Sequence, residues 1–208
     1  MADAPANAAP SAVVFDLGGV LIDWSPYHLY RQLFANDAEI AAFLDEIDLY
    51  GWLRGVDADK PFEASVHALA ARFPHHGEPI RAYWQRWPET LRGPLPDSVD
   101  ILRRLKTNGV PVYALTNWSY ETWHHAGRFD FLDWFADIVV SGHEGVAKPD
   151  PAIFAIACRR FGVAPATTVF IDDHAANVEA ATALGFHAVQ FTAADQLERQ
   201  LRAFGLPL

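Results

Sequence analysis

The stretch from Val13 to Asp23, Val-Val-Phe-Asp-Leu-Gly-Gly-Val-Leu-Ile-Asp, constrains this chain most. Val13, Val14 and Phe15 read as the end of a buried strand. Asp16 then sets a carboxylate at the strand's carboxyl end. Gly18 and Gly19 permit a tight turn and a close backbone approach to a ligand. In open parallel sheets, ligands bind beyond the carboxyl ends of the strands. An acid at that place is a nucleophile, a metal ligand or a solvated turn residue. Taken alone, Asp-x-Gly is ordinary turn chemistry, so the remainder of the chain has to choose.

The remainder alternates strand and helix. From Asp97 the pattern predicts helices over Asp97–Thr107, Tyr120–Arg128, Asp150–Phe161, Ala175–Leu184 and Ala193–Phe204. Strands are expected at Val110–Leu115, Ile138–Ser141, Thr167–Ile171 and His187–Phe191. This is the order of a doubly wound, Rossmann-like parallel sheet. Residues 25–92 differ: helical signals dominate and strand signals are few. Ser25-Pro26 looks like a helix start. Further helices are expected at Asp37–Leu49, at Pro61–Phe73 and from Pro79 onward. The division that follows is a disordered tail at 1–11, an α/β core at 12–21 and 96–208, and a helical cap at 22–95.

Composition narrows the function. With 51% hydrophobic residues the chain can bury a substantial core. A formal net charge of −10 argues against a nucleic-acid backbone or an anionic membrane as the main partner. Cys158 is the one cysteine, so no internal disulfide can form, and a reducing cytoplasm fits. Its helical context makes it a packing residue. Residues 1–11 lack the basic start and long apolar stretch of a secretory signal. No stretch approaches the roughly 18 apolar residues of a membrane span.

Three strands therefore end in groups that can do chemistry: Asp16, Thr116-Asn117 and Asp172-Asp173. A lysine, Lys148, stands just before the helix that opens at Asp150. In a parallel sheet these ends converge on one crevice. Asp16 and Asp173 could share Mg²⁺, which prefers oxygen ligands, and Asp16 could act as a covalent nucleophile. Thr116 offers a hydroxyl to an anionic oxygen. Lys148 could neutralise developing charge and hold the crowded carboxylates ionised. Singly, each has a bland reading as turn, cap or surface residue; in this order, the site reading wins.

The set Asp16-Leu-Gly-Gly-Val, Thr116-Asn117, Lys148-Pro149 and Asp172-Asp173 resembles the haloacid dehalogenase superfamily of hydrolases, in its subclass with an α-helical cap. The resemblance runs from about Val13 to the last helix. It implies that Asp16 forms an aspartyl phosphate, and that Mg²⁺ is held by Asp16, Asp173 and the Gly18 carbonyl. It implies that Asp172 supports the metal or its water, and that Thr116, with Asn117 adjacent, binds the phosphoryl group. Lys148 would bridge nucleophile and phosphoryl oxygen, and Asn177 matches a position that is often polar. The implied substrate is a small phosphorylated metabolite.

One position departs from the pattern. The family's phosphatases usually carry a general acid two residues after the nucleophile, and Gly18 stands there. A glycine cannot protonate a leaving group, a contribution typically worth ~10²–10⁴ in rate. Asp23 and His28 are the nearby alternatives. A 2-haloacid dehalogenase needs no such proton, but it needs a cation for the substrate carboxylate, for which Arg31 and Arg54 are the cap candidates. A non-catalytic binding protein of the same fold is the third alternative.

Overall fold

The computed structural model describes residues 9–208. The expectation of a disordered tail at 1–11 therefore falls largely outside the described residues. Ser11 is already tied to the sheet, its amide donating to the Thr167 carbonyl at 2.8 Å.

Strand β1 (Ala12–Phe15) leads through the Asp16 turn into β2 (Ile22–Trp24). Five helices follow: α1 (Pro26–Tyr30), α2 (Asp37–Glu46), α3 (Leu49–Ala58), α4 (Phe62–Arg72) and α5 (Gly77–Gln85). The chain returns through β3 (Leu91–Pro94), which pairs antiparallel with β2. It then runs α6 (Pro96–Thr107), β4 (Val112–Thr116), β5 (Ile138–Val140), α7 (Ser141–Glu144) and α8 (Pro151–Phe161). The last elements are β6 (Thr168–Asp172), α9 (Ala175–Ala183), β7 (His187–Gln190) and α10 (Ala194–Ala203).

Five of these strands form one parallel sheet in the order β5-β4-β1-β6-β7. The central strands are apolar on both faces because helices cover both. Val13, Phe15, Val112, Val169 and Ile171 point to the side of α6 and α10, where Leu102, Leu105, Leu197 and Leu201 are buried. Val14, Leu115 and Phe170 point the other way, onto Ile153, Phe154 and Ala157 of α8. The order also fixes the crevice. From β1 the chain steps outward to β4 and β5, then crosses back to place β6 on the other flank of β1. The carboxyl ends of β4, β1 and β6 thus lie side by side at the switch point.

The fold class is therefore that of the sequence reading: a Rossmann-like parallel core with inserted helices. Three local expectations need correction. The helix expected over Asp37–Leu49 ends at Glu46; beyond it Asp48, at φ 48°, accepts a hydrogen bond from the Gly51 amide at 3.2 Å and opens a further helix, α3, that the sequence reading did not expect. A side chain that caps the next helix ends the previous one. This unexpected helix, α3, carries Gly51 and Gly55, both poor helix formers that weaken its signal in the sequence. Over Tyr120–Arg128 the structure has only a short 3₁₀ segment, Trp123–Arg128, where Ser119 turns the chain by accepting from the Glu121 amide. Finally, the mostly helical insert is bounded by the β2–β3 ribbon.

Leu102 on α6 is fully buried against the sheet. Leu102→Ala should destabilise the protein by ~2–5 kcal/mol. Urea unfolding would show this as a lower midpoint with an unchanged slope.

Candidate active site

The Lys148 ammonium is the hub. It is 1% exposed, and its Nζ lies 3.0 Å from Asp16 Oδ2, 2.7 Å from Asp172 Oδ2 and 2.8 Å from the Leu115 carbonyl oxygen. An ammonium has three protons, and here each faces a protein acceptor. Burial works against the lysine's charge, but Asp16 and Asp172 outweigh it and hold the group above its ordinary value. The loop that delivers it is clamped by Asn117. That side chain accepts from the Lys148 amide at 2.8 Å and donates to the Lys148 carbonyl at 2.9 Å. Asn117 lines the cleft, yet its amide is engaged in positioning the lysine.

Asp172 closes β6 and is wholly buried. Besides Lys148 it accepts from Asn177 Nδ2 at 3.0 and 3.1 Å and from the His174 amide at 2.9 Å. Asn177 is thus part of the frame around Asp172. Asp16 stands one residue beyond β1, and its Oδ1 accepts from the Leu17 amide at 2.7 Å. Burial pushes its carboxyl well above the ordinary carboxylate range; Lys148 pulls it down, while Asp172 and Asp173 push it up. Asp173 is also raised, by burial first and Asp172 second. Thr116, 1% exposed, ends β4 at the wall of the same cleft.

Carboxylate oxygens of Asp16, Asp172 and Asp173 all lie within 4.8 Å of one another. The turn opposite them is shaped to leave room. A Cβ on Gly19, which sits at φ 74°, would fall 2.5 Å from Asp173 Oδ2. Gly18 lacks a positive φ, and a Cβ there would make ordinary contact with Trp24 at 3.7 Å. An all-oxygen donor set with two carboxyls raised by burial and mutual repulsion suits a hard divalent cation.

The cleft enclosed by these groups and the helical insert has a volume of about 430 Å³. Its floor is the polar cluster. Its walls are mostly apolar: Trp24, Leu53, Trp87, Leu91 and Trp118. Two polar atoms in the wall, the Tyr83 hydroxyl and the Trp118 indole nitrogen, are buried and have no hydrogen-bond partner among the described residues. Helix α3 adds Arg54 and Asp57. Burial pushes the Asp57 carboxyl up to about 7, against the opposing influence of the Ser119 amide and Lys148.

Of the alternatives that the sequence left open, Asp23 and His28 pair with each other at 2.7 Å and neither lines the cleft. Arg31 is bound on the surface by Asp37, with contacts at 2.8 and 2.7 Å. Arg54 lines the cleft, so of the two arginines it is the one in reach of a ligand. Cys158 lies half-buried on α8, packed under the sheet.

A family model for haloacid dehalogenase-like hydrolases matches residues 10–185. The chain belongs to that family. Among relatives of this haloacid dehalogenase-like hydrolase, a sesquiterpene phosphatase from Aspergillus oryzae is 30% identical over 185 residues, covering 87% of this chain and 89% of that protein. An (S)-2-haloacid dehalogenase from Burkholderia cepacia is 28% identical over 196 residues, covering 86% and 81%. The solved structure of a predicted HAD-like hydrolase from Porphyromonas gingivalis superposes with a TM-score of 0.67 at 25% identity, covering 94% of this chain and 99% of that one.

Of the half of the hydrolase's cleft that the insert supplies, sequence reasoning named Arg54 and missed Trp24, Tyr50, Asp57 and Tyr83. The one available signal was the spacing Leu49, Leu53, Val56, which buries one face of α3 and turns Arg54 and Asp57 elsewhere.

Two contrasts test this geometry. Gly19→Ala should lower Tm and remove activity, because strain and a clash with Asp173 coincide; Gly18→Ala should leave Tm nearly unchanged. Lys148→Met should cost ~3–5 kcal/mol in chemical denaturation, the range for leaving buried charges unpaired.

Proposed function

We propose that this protein is a Mg²⁺-dependent phosphatase of small organic monophosphates, acting through an aspartyl-phosphate on Asp16. The observation that carries the reading is the metal-sized gathering of Asp16, Asp172 and Asp173 at the floor of a cleft, with one buried lysine pairing Asp16 and Asp172. A substrate whose charge is shared with a divalent cation can enter there. A bare anion would meet an excess of carboxylates.

In this reading Asp16, Asp173 and the Gly18 carbonyl hold the cation, with Asp172 behind them. Bound Mg²⁺ would offset the charge of the phosphoryl oxygens and keep the carboxylates ionised. Asp16 attacks phosphorus with the oxygen not committed to Lys148, and the phosphorus–oxygen bond of the substrate breaks. Water then attacks the same phosphorus and releases phosphate, restoring the Asp16 carboxylate. Thr116, at the end of β4, donates its hydroxyl to the transferred group. Lys148 acts through its charge, since its three protons already face Asp16, Asp172 and Leu115. Asn117 and Asn177 hold Lys148 and Asp172 in place. The aromatic walls suit an apolar or flat organic group on the phosphate, in keeping with the similarity to a sesquiterpene phosphatase. Among the described residues no helix is long and apolar enough to cross a membrane.

A 2-haloacid dehalogenase is the second reading, and Arg54 favours it. That guanidinium lines the cleft and has no carboxylate partner among the described residues, so it could receive a substrate carboxylate. Asp16 would then displace halide from carbon, without a metal.

Phosphate release from a panel of monophosphates, and halide release from 2-haloacids, should each be followed with Mg²⁺ and with a chelator. Metal-dependent phosphate release is expected; chelator-resistant halide release alone would establish the second reading. Mg²⁺ at millimolar concentration should also raise Tm by mass action. Asp16→Asn should cut kcat by at least ~10³-fold, as loss of a nucleophile does, while the protein stays folded. Near-normal turnover in freshly purified Asp16→Asn, with deamidation excluded, would remove Asp16 from the nucleophile's role.

A further inference from the structure

An organic monophosphate presents a problem that the floor of the cleft does not solve. An alkyl group leaves as an alkoxide, a strong base that needs a proton as its bond to phosphorus breaks. Asp16 is occupied as nucleophile, and Asp173 is assigned to the cation. The Lys148 protons face Asp16, Asp172 and Leu115. Gly18 has no side chain. The proton must come from the wall, where the leaving group lies.

The titratable and charged groups of the wall are few. Tyr50 and Arg54 come from α3, Tyr83 from α5, His174 from the β6–α9 turn, and Asp57 from the last turn of α3. Burial raises both phenols. Arg54 and His174 are exposed, and the His174 ring sits beside Tyr50 with centroids 6.0 Å apart. Asp57 differs from all of these. Its main chain is fixed to the core, because its carbonyl accepts from the buried Ser141 hydroxyl. Lys148, Tyr83 and the Ser119 amide are close enough to act on its carboxyl. The helical insert thus holds one carboxyl at the seam with the core, inside the cleft and within the field of the hub lysine.

We propose that Asp57 is the general acid and base of this hydrolase, delivered from the insert. The inference rests on the phosphatase reading. In the first step Asp16 bonds to phosphorus, and the leaving oxygen takes the Asp57 proton and departs as an alcohol. In the second step the Asp57 carboxylate takes a proton from the water that attacks phosphorus. Phosphate leaves, Asp16 is regenerated, and Asp57 is again protonated. Charge and protons balance over the cycle. A carboxyl pushed up to about 7 by burial is populated in both forms near neutrality, as a group serving both steps requires.

The test compares kcat/KM for one alkyl and one aryl monophosphate, in the Mg²⁺-loaded full-length protein, across pH. Aryl oxides are weak bases and need little protonation. In the wild type, the alkyl-to-aryl ratio should fall as pH rises through about 7. Asp57→Asn should lower the alkyl rate by ~10²–10⁴ and the aryl rate by less than ~10-fold, and should flatten the ratio's pH dependence. Gly18→Asp placed in Asp57→Asn should restore part of the alkyl rate, because Gly18 has room for a side chain beside Trp24 in the same cleft. A second readout needs no substrate. A carboxyl raised in the folded state contributes stability below its unfolded pKa, and that stability is lost as pH rises through the folded value. The fall in Tm from pH ~5 to ~8 should therefore be shallower in Asp57→Asn than in wild type.

A pH-independent ratio in the wild type would overturn the proposal even if the variant failed to fold. Equal slowing of both substrates in a folded Asp57→Asn would overturn it too, as would a selective alkyl loss in His174→Gln that Asp57→Asn lacks. If the wild type hydrolysed neither phosphate, the phosphatase reading itself would fall, and this inference with it.

Discussion

A single buried ammonium holds the chemistry of this protein together. Two carboxylates at the ends of adjacent strands, Asp16 and Asp172, would repel each other if left alone in an apolar interior, and each would carry a desolvation cost of several kcal/mol. Lys148 between them makes their proximity tolerable. Much of the surrounding structure serves that arrangement. The Leu115 carbonyl takes the third proton, Asn117 fixes the loop, and Asn177 and the His174 amide complete the shell of Asp172. Buried polar clusters are stable when every member is satisfied. Here the framework residues are satisfied, while Asp16 and Asp173 keep their outer faces toward the cleft.

That division of labour explains why neighbouring acids in one sequence pair differ. Asp172 is enclosed, while Asp173 is exposed to the cleft. A strand alternates its side chains between faces. At the point where β6 ends and the chain turns, successive residues therefore point into the framework and out toward a ligand. The same alternation splits β1, where Val14 packs under α8 while Val13 and Phe15 face α6 and α10.

The core was legible in the sequence for physical reasons that the insert lacks. Strands buried on both faces leave uninterrupted apolar runs, and each run here ends in a polar group at the crevice: Phe15 before Asp16, Leu115 before Thr116, Ile171 before Asp172. The helices between them carry strong punctuation, such as Asp150-Pro151 at the start of α8 and Gly162 at its end. The insert carries some of the same punctuation, Ser25-Pro26 before α1 for example, but no run that ends in a polar group at the crevice. Asp48 separates α2 from α3, and the glycines of α3 weaken that helix's signal. The residues it contributes to the cleft come from single turns of different helices, so no local motif joins Arg54 or Asp57 to Asp16. Asn117 was legible as a site residue but not in its role. That a side-chain amide would pair with the backbone of Lys148, 31 positions away, depends on tertiary placement alone.

The β2–β3 ribbon has a consequence of its own. Because the outgoing and returning strands are paired, residues 25–90 attach to the sheet as the tip of an overgrown hairpin. The chain enters and leaves the insert through two adjacent strand ends, and beyond them the insert touches the core at points such as Asp57, whose carbonyl accepts from the Ser141 hydroxyl. Closure entropy grows by only ~0.6 kcal/mol for each doubling of loop length. A lineage could therefore lengthen, shorten or replace the tip without renegotiating the sheet below. Floor and wall could then diverge at different rates, except where a group of the wall such as Asp57 is tied to the core.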